Sequence, residues 1–162
     1  MSNKILSIKK LAQRIKKLKK RKKKIILCHG VFDVLHIGHI NHFNSAKKLG
    51  DILVVSVTPD KFVRKGPNRP IFPLNLRMQS LSALKSIDYV TANTTETAVN
   101  PILEIKPNIY CKGKDYRDEK SDHTQNIKRE VKAIKSINGK INYTEDKLFS
   151  SSNIINNSNL NL

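Results

Sequence analysis

Tryptophan is absent from the 162 residues, and cysteine and methionine occur only twice each. Cys28 and Cys111 alone cannot build the disulfide framework of a small secreted domain, and their separation matches no zinc-ligand spacing. No apolar run approaches the roughly 20 residues that span a bilayer. The basic N-terminus is not followed by a continuous apolar segment of signal-peptide type. These absences exclude a disulfide scaffold, a zinc module and a membrane span, and leave a soluble cytoplasmic protein as the expectation. Internal repeats and Gly/Ser linkers are also missing, and the length suits one domain rather than two.

Acidic side chains are the other scarcity, 13 against 31 Lys and Arg, for a formal net charge of +18. Such a balance points to nucleic acid when it is spread over a surface. Here residues 1–24 hold twelve of the bases and no acid, which leaves the other 138 residues with 19 bases, 13 acids and a net of +6. Within 1–24, Ile8, Leu11, Ile15 and Leu18 recur at three- and four-residue spacing, the period of one helix face. The segment reads as a basic amphipathic helix docked on the domain, with Ser7 at its N-cap. A solvated basic face and an arm for RNA or anionic membrane are both compatible with it.

Residues 25–157 alternate between apolar runs and helical patterns. Strands are expected at Ile25–His29, Ile52–Val57, Asp88–Ala92, Ile109–Cys111 and Ile141–Tyr143. Helices are expected over 37–49 (capped by Gly50), 74–87 (with Leu76, Leu81, Leu84 and Ile87 inward), 97–105 and 125–137. Residues 64–73 and 112–124 read as loops, and 158–162 as a frayed tail. The alternation predicts a five-stranded, doubly wound parallel sheet of Rossmann-like α/β class.

The chemistry concentrates in Cys28–Ile40, C-H-G-V-F-D-V-L-H-I-G-H-I. Ligands of open α/β sheets bind beyond the carboxyl ends of the strands, and here the strand gives way to a helix starting near Gly38. A helix N-terminus favours an anion. Gly30 is read as letting backbone approach phosphate, and Gly38 as leaving room for a nucleotide. His36 and His39, three apart, share one side of the first turn and can stabilise charge on a phosphate. Metal ligation by H-x-x-H and purely structural histidines are the competing readings. Asp33 reads equally as a turn residue or a cap.

The run G-V-F-D-V-L-H-I-G-H resembles the signature of the cytidylyltransferase-like nucleotidyltransferases, part of the HIGH-motif superfamily. A-K-K-L-G-D (46–51), Arg77 in L-R-M-Q-S-L, K-G-K-D-Y (112–116) and F-S-S-S-N-I-I (149–155) extend the likeness. The last two are most similar to the adenylyltransferase domain of bifunctional ADP-heptose synthases, without the kinase half.

The resemblance implies transfer of a nucleoside monophosphate from an NTP to a phosphorylated acceptor, with pyrophosphate released. It implies Mg²⁺ on the triphosphate and no protein metal site. His36, His39, Lys65 (or Arg64 beside it) and Arg77 are the implied catalytic residues, Arg77 on the pyrophosphate. Gly30, Val31, Phe32, Asp33, Gly38, Lys112, Gly113, Asp115 and Ser150–Ser152 are the implied nucleotide-binding set, with Lys112, Gly113 and Asp115 near base and ribose. ATP with a sugar phosphate is the favoured pair. CTP with glycerol 3-phosphate or a similar alcohol phosphate is the alternative, although E-D-K-L-F-S-S-S stands where the cytidylyl enzymes carry R-T-E-G-I-S-T-T. The family's small members are commonly dimers, so a homodimer is expected, and a separate sugar kinase is a candidate partner. A non-catalytic RNA-binding protein is the reading of a different class.

Overall fold

The structure, a computed structural model, describes residues 4–117, 126–147 and 149. Five strands form one sheet: β1 (Ile25–Gly30), β2 (Ile52–Val57), β3 (Tyr89–Ala92), β4 (Ile109–Gly113) and β5 (Lys140–Thr144). All pairings are parallel, in the order β3-β2-β1-β4-β5. Parallel strands need long return connections, which are supplied by α2 (Ile37–Lys47), α3 (Leu74–Ser82), α4 (Val99–Ile105) and α5 (Asn126–Ser136). A further helix, α1 (Ile8–Lys20), precedes the sheet.

Strands covered on both faces carry apolar side chains at nearly every position. In β1, Ile26 and Cys28 face a core shared with Phe43 and Ala46 of α2 and Met78 and Leu81 of α3. Ile25 and Leu27 face the opposite core, with Leu11 and Ile15 of α1, Ile102 of α4 and Ile134 of α5. Leu11 and Ile15 are fully buried, and each contributes about 1.5–3 kcal/mol of apolar burial. The lysine-rich side of α1 faces solvent. Ahead of it, residues 4–6 pair with the free edge of β3 through Leu6 N–H to Val90 O (3.0 Å) and Val90 N–H to Lys4 O (2.9 Å). An edge strand is thereby covered.

Four local expectations change. α3 ends at Ser82, five residues before the expected end, and Leu76 is exposed. Leu76 and Leu81 are five residues apart, which is not one face of a helix; the buried positions are Arg77, Met78, Leu81 and Ser82. Gly50 is not a left-handed cap for α2, whose C-cap is Lys48. A Cβ at Gly50 would instead meet Ile26 and the Lys24 carbonyl within 3.0 Å. Ser7 occupies the N-cap of α1 without a side-chain cap bond. A short 3-10 turn at Lys114–Tyr116 lies inside the expected loop 112–124, and another at Asp60–Phe62 falls where no element is expected.

A buried carboxylate locks the second layer. Glu130 of α5 accepts the Ala98 amide (2.9 Å) at the start of α4 and the Tyr110 hydroxyl (2.8 Å) of β4. Burial and Glu130 together push the Tyr110 hydroxyl pKa well up, so it remains a donor.

Candidate active site

From β1 the chain winds one way, through α2 and β2; from β4 it winds the other, through α5 and β5. The strands diverge at a topological switch point, where sheets of this kind bind ligands. A cavity of about 300 Å³ lies there, walled by the turn after β1, the start of α2, the end of β4 and residues beyond β5.

The start of α2 supplies two imidazoles. His36 is the N-cap, and its Nδ1 accepts the Gly38 amide at 3.1 Å. An accepting Nδ1 leaves the proton of the neutral ring on Nε2. That Nε2 is buried with no hydrogen-bond partner among the described residues, as is Nδ1 of His39. The two rings stack at 3.9 Å between centroids, which satisfies the expectation that residues three apart share a side. Because the His36 ring and the His36 carbonyl already take the Gly38 and His39 amides, the donors offered here are ring nitrogens.

The glycines serve packing. A Cβ on Gly38 would lie 3.0 Å from the His36 ring and 2.9 Å from Phe149, so this glycine lets the imidazole fold over the helix start. A Cβ on Gly30 would lie 2.9 Å from the ring of Phe32. Phe32 holds a left-handed backbone (φ 49°) and is nearly buried, so Gly30 makes room for that ring. Gly113 similarly leaves space for the Asp115 carboxylate.

Of the expected site residues, His36, His39, Gly30, Val31, Phe32, Gly38, Lys65, Lys112, Gly113 and Asp115 are brought together on the cavity. Asp33 and Arg77 are not on its wall. The buried Asp33 carboxylate accepts Arg69 Nε (2.9 Å) and the Ile71 (2.9 Å) and Phe72 (3.0 Å) amides. Burial alone would raise its pKa, but those amides and the guanidinium outweigh it and hold the carboxyl below its usual range. Arg77 donates to the carbonyls of Phe72 (3.0 Å), Thr58 (2.8 Å) and Val31 and to Asp60 (2.6 Å). Both side chains are consumed in fastening the segment 58–73 to the turn after β1. In this structure the two side chains therefore position that segment. Ser150, Ser151 and Ser152 lie outside the described residues, as do 158–162.

Several cavity residues were not anticipated. His42 continues the three-residue spacing of His36 and His39, a signal visible in the sequence, and meets Thr144 Oγ1 at 2.8 Å. Asp146 accepts from Ser45 at 3.1 Å through Oδ1, while its Oδ2 has no partner among the described residues. His29, at the end of β1, contacts Ser56 Oγ (3.0 Å) and Thr58 Oγ1 (3.3 Å). His29 lies inside the run Cys28–Ile40, but neither it nor Asp146 stands at a spacing that marks it.

Burial keeps these imidazoles neutral. His29 is lowered to about 3 by burial and Lys112, His39 to about 3 by burial, His36 and Lys65, and His42 to about 4 by burial and Lys112. His36 is shifted the same way by burial and Lys65. A histidine depressed in the folded state binds fewer protons folded than unfolded below about pH 6.5, so stability falls as pH drops from 6.5 toward 3–4. At pH 5 each of the three strongly shifted histidines removes up to about 2 kcal/mol. Thermal unfolding is expected to shift steadily downward from pH 7 to pH 5; an unchanged midpoint would contradict buried neutral rings.

A parallel sheet of this order, with H-I-G-H at a helix start beside its switch point, is a Rossmann-like α/β domain with its candidate site where such sheets bind nucleotides. The chain belongs to the cytidylyltransferase-like family, whose model matches residues 27–157. It is 39% identical over 140 residues to the bifunctional protein HldE of Actinobacillus pleuropneumoniae, covering 83% of this chain and 30% of that protein. The HldE of Campylobacter fetus is 41% identical over 120 residues, 73% of this chain and 26% of that one. This chain therefore spans less than a third of these curated relatives. Among solved structures, the lipopolysaccharide core biosynthesis protein of Thermoplasma volcanium superposes with TM-score 0.62 at 28% identity, over 77% of this chain and 99% of that one. Pantoate-beta-alanine ligase of Francisella tularensis shares the fold (TM-score 0.65, 22% identity, 96% of this chain and 73% of that one).

Proposed function

We propose that the domain transfers AMP from ATP to a sugar phosphate, as in ADP-heptose synthesis. The observation that carries the transfer reading is the stacked His36–His39 pair at the start of α2, whose cavity-side ring nitrogens have no partner among the described residues. The choice of ATP and a sugar phosphate rests on likeness to HldE.

The step needs no covalent enzyme intermediate. A phosphate oxygen of the acceptor forms a bond to the α-phosphorus, the bond from that phosphorus to the β-bridging oxygen breaks, and pyrophosphate leaves with the electron pair. The acceptor phosphate is already a competent nucleophile, so the protein's task is positioning and charge stabilisation. His36 Nε2–H and the His39 ring offer hydrogen bonds to phosphate oxygens. Lys65 adds positive charge from its loop, and the turn Gly30–Phe32 shapes the floor. Asp115 and the Gly113 turn lie at the opposite wall, suited to base and ribose. Mg²⁺ carried by the triphosphate would neutralise its charge; Asp146, whose buried Oδ2 on this cavity has no partner among the described residues, fits a water of that ion. Assembly as a homodimer, supply of the acceptor by a separate sugar kinase and a cytoplasmic location belong to the same proposal. No helix among the described residues is long and apolar enough to cross a membrane.

The test is pyrophosphate release with ATP and then CTP, each with Mg²⁺, over a panel of sugar 1-phosphates and polyol phosphates. ATP-dependent release with a sugar phosphate is expected. Release with CTP alone would move the domain to cytidylyl transfer.

A further inference from the structure

The two helix layers differ in charge. On one side of the sheet, α2 and α3 carry Lys47 and the buried Arg77 as their only charged side chains. On the other side lie α1, α4 and α5, with α4 packed against both of its neighbours. α1 and α5 are dense in Lys and Arg. The only acids of these three helices are the buried Glu130 and the exposed Glu104.

The cations are arranged in rows. At about 100° per residue, Leu11 and Ile15 turn one side of α1 into the core, and Lys9, Lys10, Lys16, Lys17 and Lys20 fall on the opposite side. These five span about 17 Å. All are exposed, and among the described residues none has an ion-pair partner. On α5, the exposed Lys132 and Lys135 stand opposite the buried Ile127 and Ile134. The two rows flank α4, whose exposed residues are Leu103 and Glu104.

Such a row costs stability in the free protein. Lys16 and Lys20 are four residues apart and Lys17 and Lys20 three, and like charges at those spacings repel. Lys9 and Lys10 stand in the first turn of α1, where the helix dipole favours acids and none is present. A polar face that is only solvated gains from Glu interleaved with Lys. Residues 1–24 contain no acid, so the compensating charge is left to a partner.

The chemistry of the face narrows that partner. None of the three helices has an aromatic side chain, so unpaired bases find no stacking platform. The apolar side of α1, which an interfacial helix would sink into a bilayer, is already spent in the core. Lysines act as point charges on phosphate oxygens and need not read base edges. Double-helical RNA, whose deep major groove is closed to side chains, is held through backbone contacts of this kind. We propose that the outer face of α1 and α5 binds double-helical RNA through its phosphates, as a second activity independent of nucleotidyl transfer. Neither row lies on the wall of the candidate active-site cavity, so RNA and nucleotide can be held together.

The test is fluorescence anisotropy of a labelled RNA duplex of about 20 base pairs and mixed sequence, titrated with the full chain from about 50 to 200 mM KCl. Log Kd is expected to rise linearly with log salt, by about 0.9 per phosphate contacted. The triple variant Lys16→Gln, Lys17→Gln, Lys20→Gln should lower that slope by about 2–3 and weaken binding at low salt by at least about tenfold. The double variant Lys132→Gln, Lys135→Gln should lower it by about 1–2. Both should release pyrophosphate at the wild-type rate. Thermal unfolding of the triple variant is expected at or above the wild-type midpoint, because like-charge repulsion is relieved. The control removes two exposed lysines beside the other helix layer, Lys48→Gln with Lys85→Gln, and should bind within twofold of wild type.

An equal loss in the control would mean that net charge alone attracts RNA, and would overturn the face. An unchanged slope in the triple variant would do the same. A DNA duplex of the same sequence that binds more tightly would overturn RNA as the partner. So would vesicles containing phosphatidylglycerol that draw the protein away from the RNA.

Discussion

His39→Ala is expected to lower the rate of pyrophosphate release by about 10²–10³-fold, the usual cost of removing one preorganised donor from developing charge, while leaving the fold intact. Nδ1 of His39 is buried without a partner among the described residues. A polar atom held that way costs stability in the empty protein, so truncation removes a liability along with a function. Unfolding of His39→Ala is expected at or above the wild-type midpoint. His36 behaves differently, because its Nδ1 also caps α2 through the Gly38 amide. His36→Ala should lose a comparable factor in rate and about 1 kcal/mol of stability. His36→Asn separates the two duties. Asparagine is a good N-cap, so it should restore most of the stability, yet it places no imidazole on the cavity and should leave the rate low. Turnover and thermal unfolding on the same three proteins decide the matter. A rate within tenfold of wild type in His39→Ala would remove the imidazole pair from the chemistry.

The fold was legible because both faces of the sheet are covered. Runs such as Ile52–Val57 stay apolar throughout, and each is followed by a helical pattern, so strand count and parallel topology follow without any tertiary information. Helix ends were less legible. Apolar Leu84 and Ile87 carry the helical pattern of α3 to residue 87, but the chain leaves the helix early, and Asp88 reaches the Leu53 amide (2.7 Å) and Lys47 (2.5 Å). Those partners are distant in sequence.

The site shows the same division. His36 and His39 could be paired from their spacing, since neighbours on one helical turn meet by geometry. The work of Gly30 and Gly38 could not be read that way. Sequence shows that a side chain is missing there but not what fills the space, which proves to be Phe32 and His36. His29 and Lys112 reach the same cavity from neighbouring strands β1 and β4, a juxtaposition set by sheet order.

Arg77 gives the second large effect, and its direction separates the sequence reading from the structural one. As a ligand of pyrophosphate, Arg77 could be replaced with loss of rate and little loss of stability. The structure requires the reverse emphasis. Its guanidinium is fully buried and gathers three carbonyls, from Val31, Thr58 and Phe72, together with Asp60. Asp60 also receives the Leu74 amide at the start of α3 (3.2 Å). Arg77→Met would leave those carbonyls without a donor, each at about 1–3 kcal/mol. Such losses are not additive, and removal of one member of a buried charge network costs about 3–5 kcal/mol in all. With a urea slope of about 1–3 kcal/mol/M, the unfolding midpoint should fall by at least about 1 M at unchanged slope. Arg77→Lys should recover little of this, because a single ammonium cannot span acceptors that a planar five-donor fork reaches from two sides. The turn at Val31 forms part of the cavity wall, so activity is expected to fall as that turn loosens, with the KM values for nucleotide and acceptor rising together. Normal urea stability combined with a selective loss of nucleotide affinity would instead restore Arg77 to the phosphates. It would also mean that the clasp around Asp60 opens when nucleotide binds.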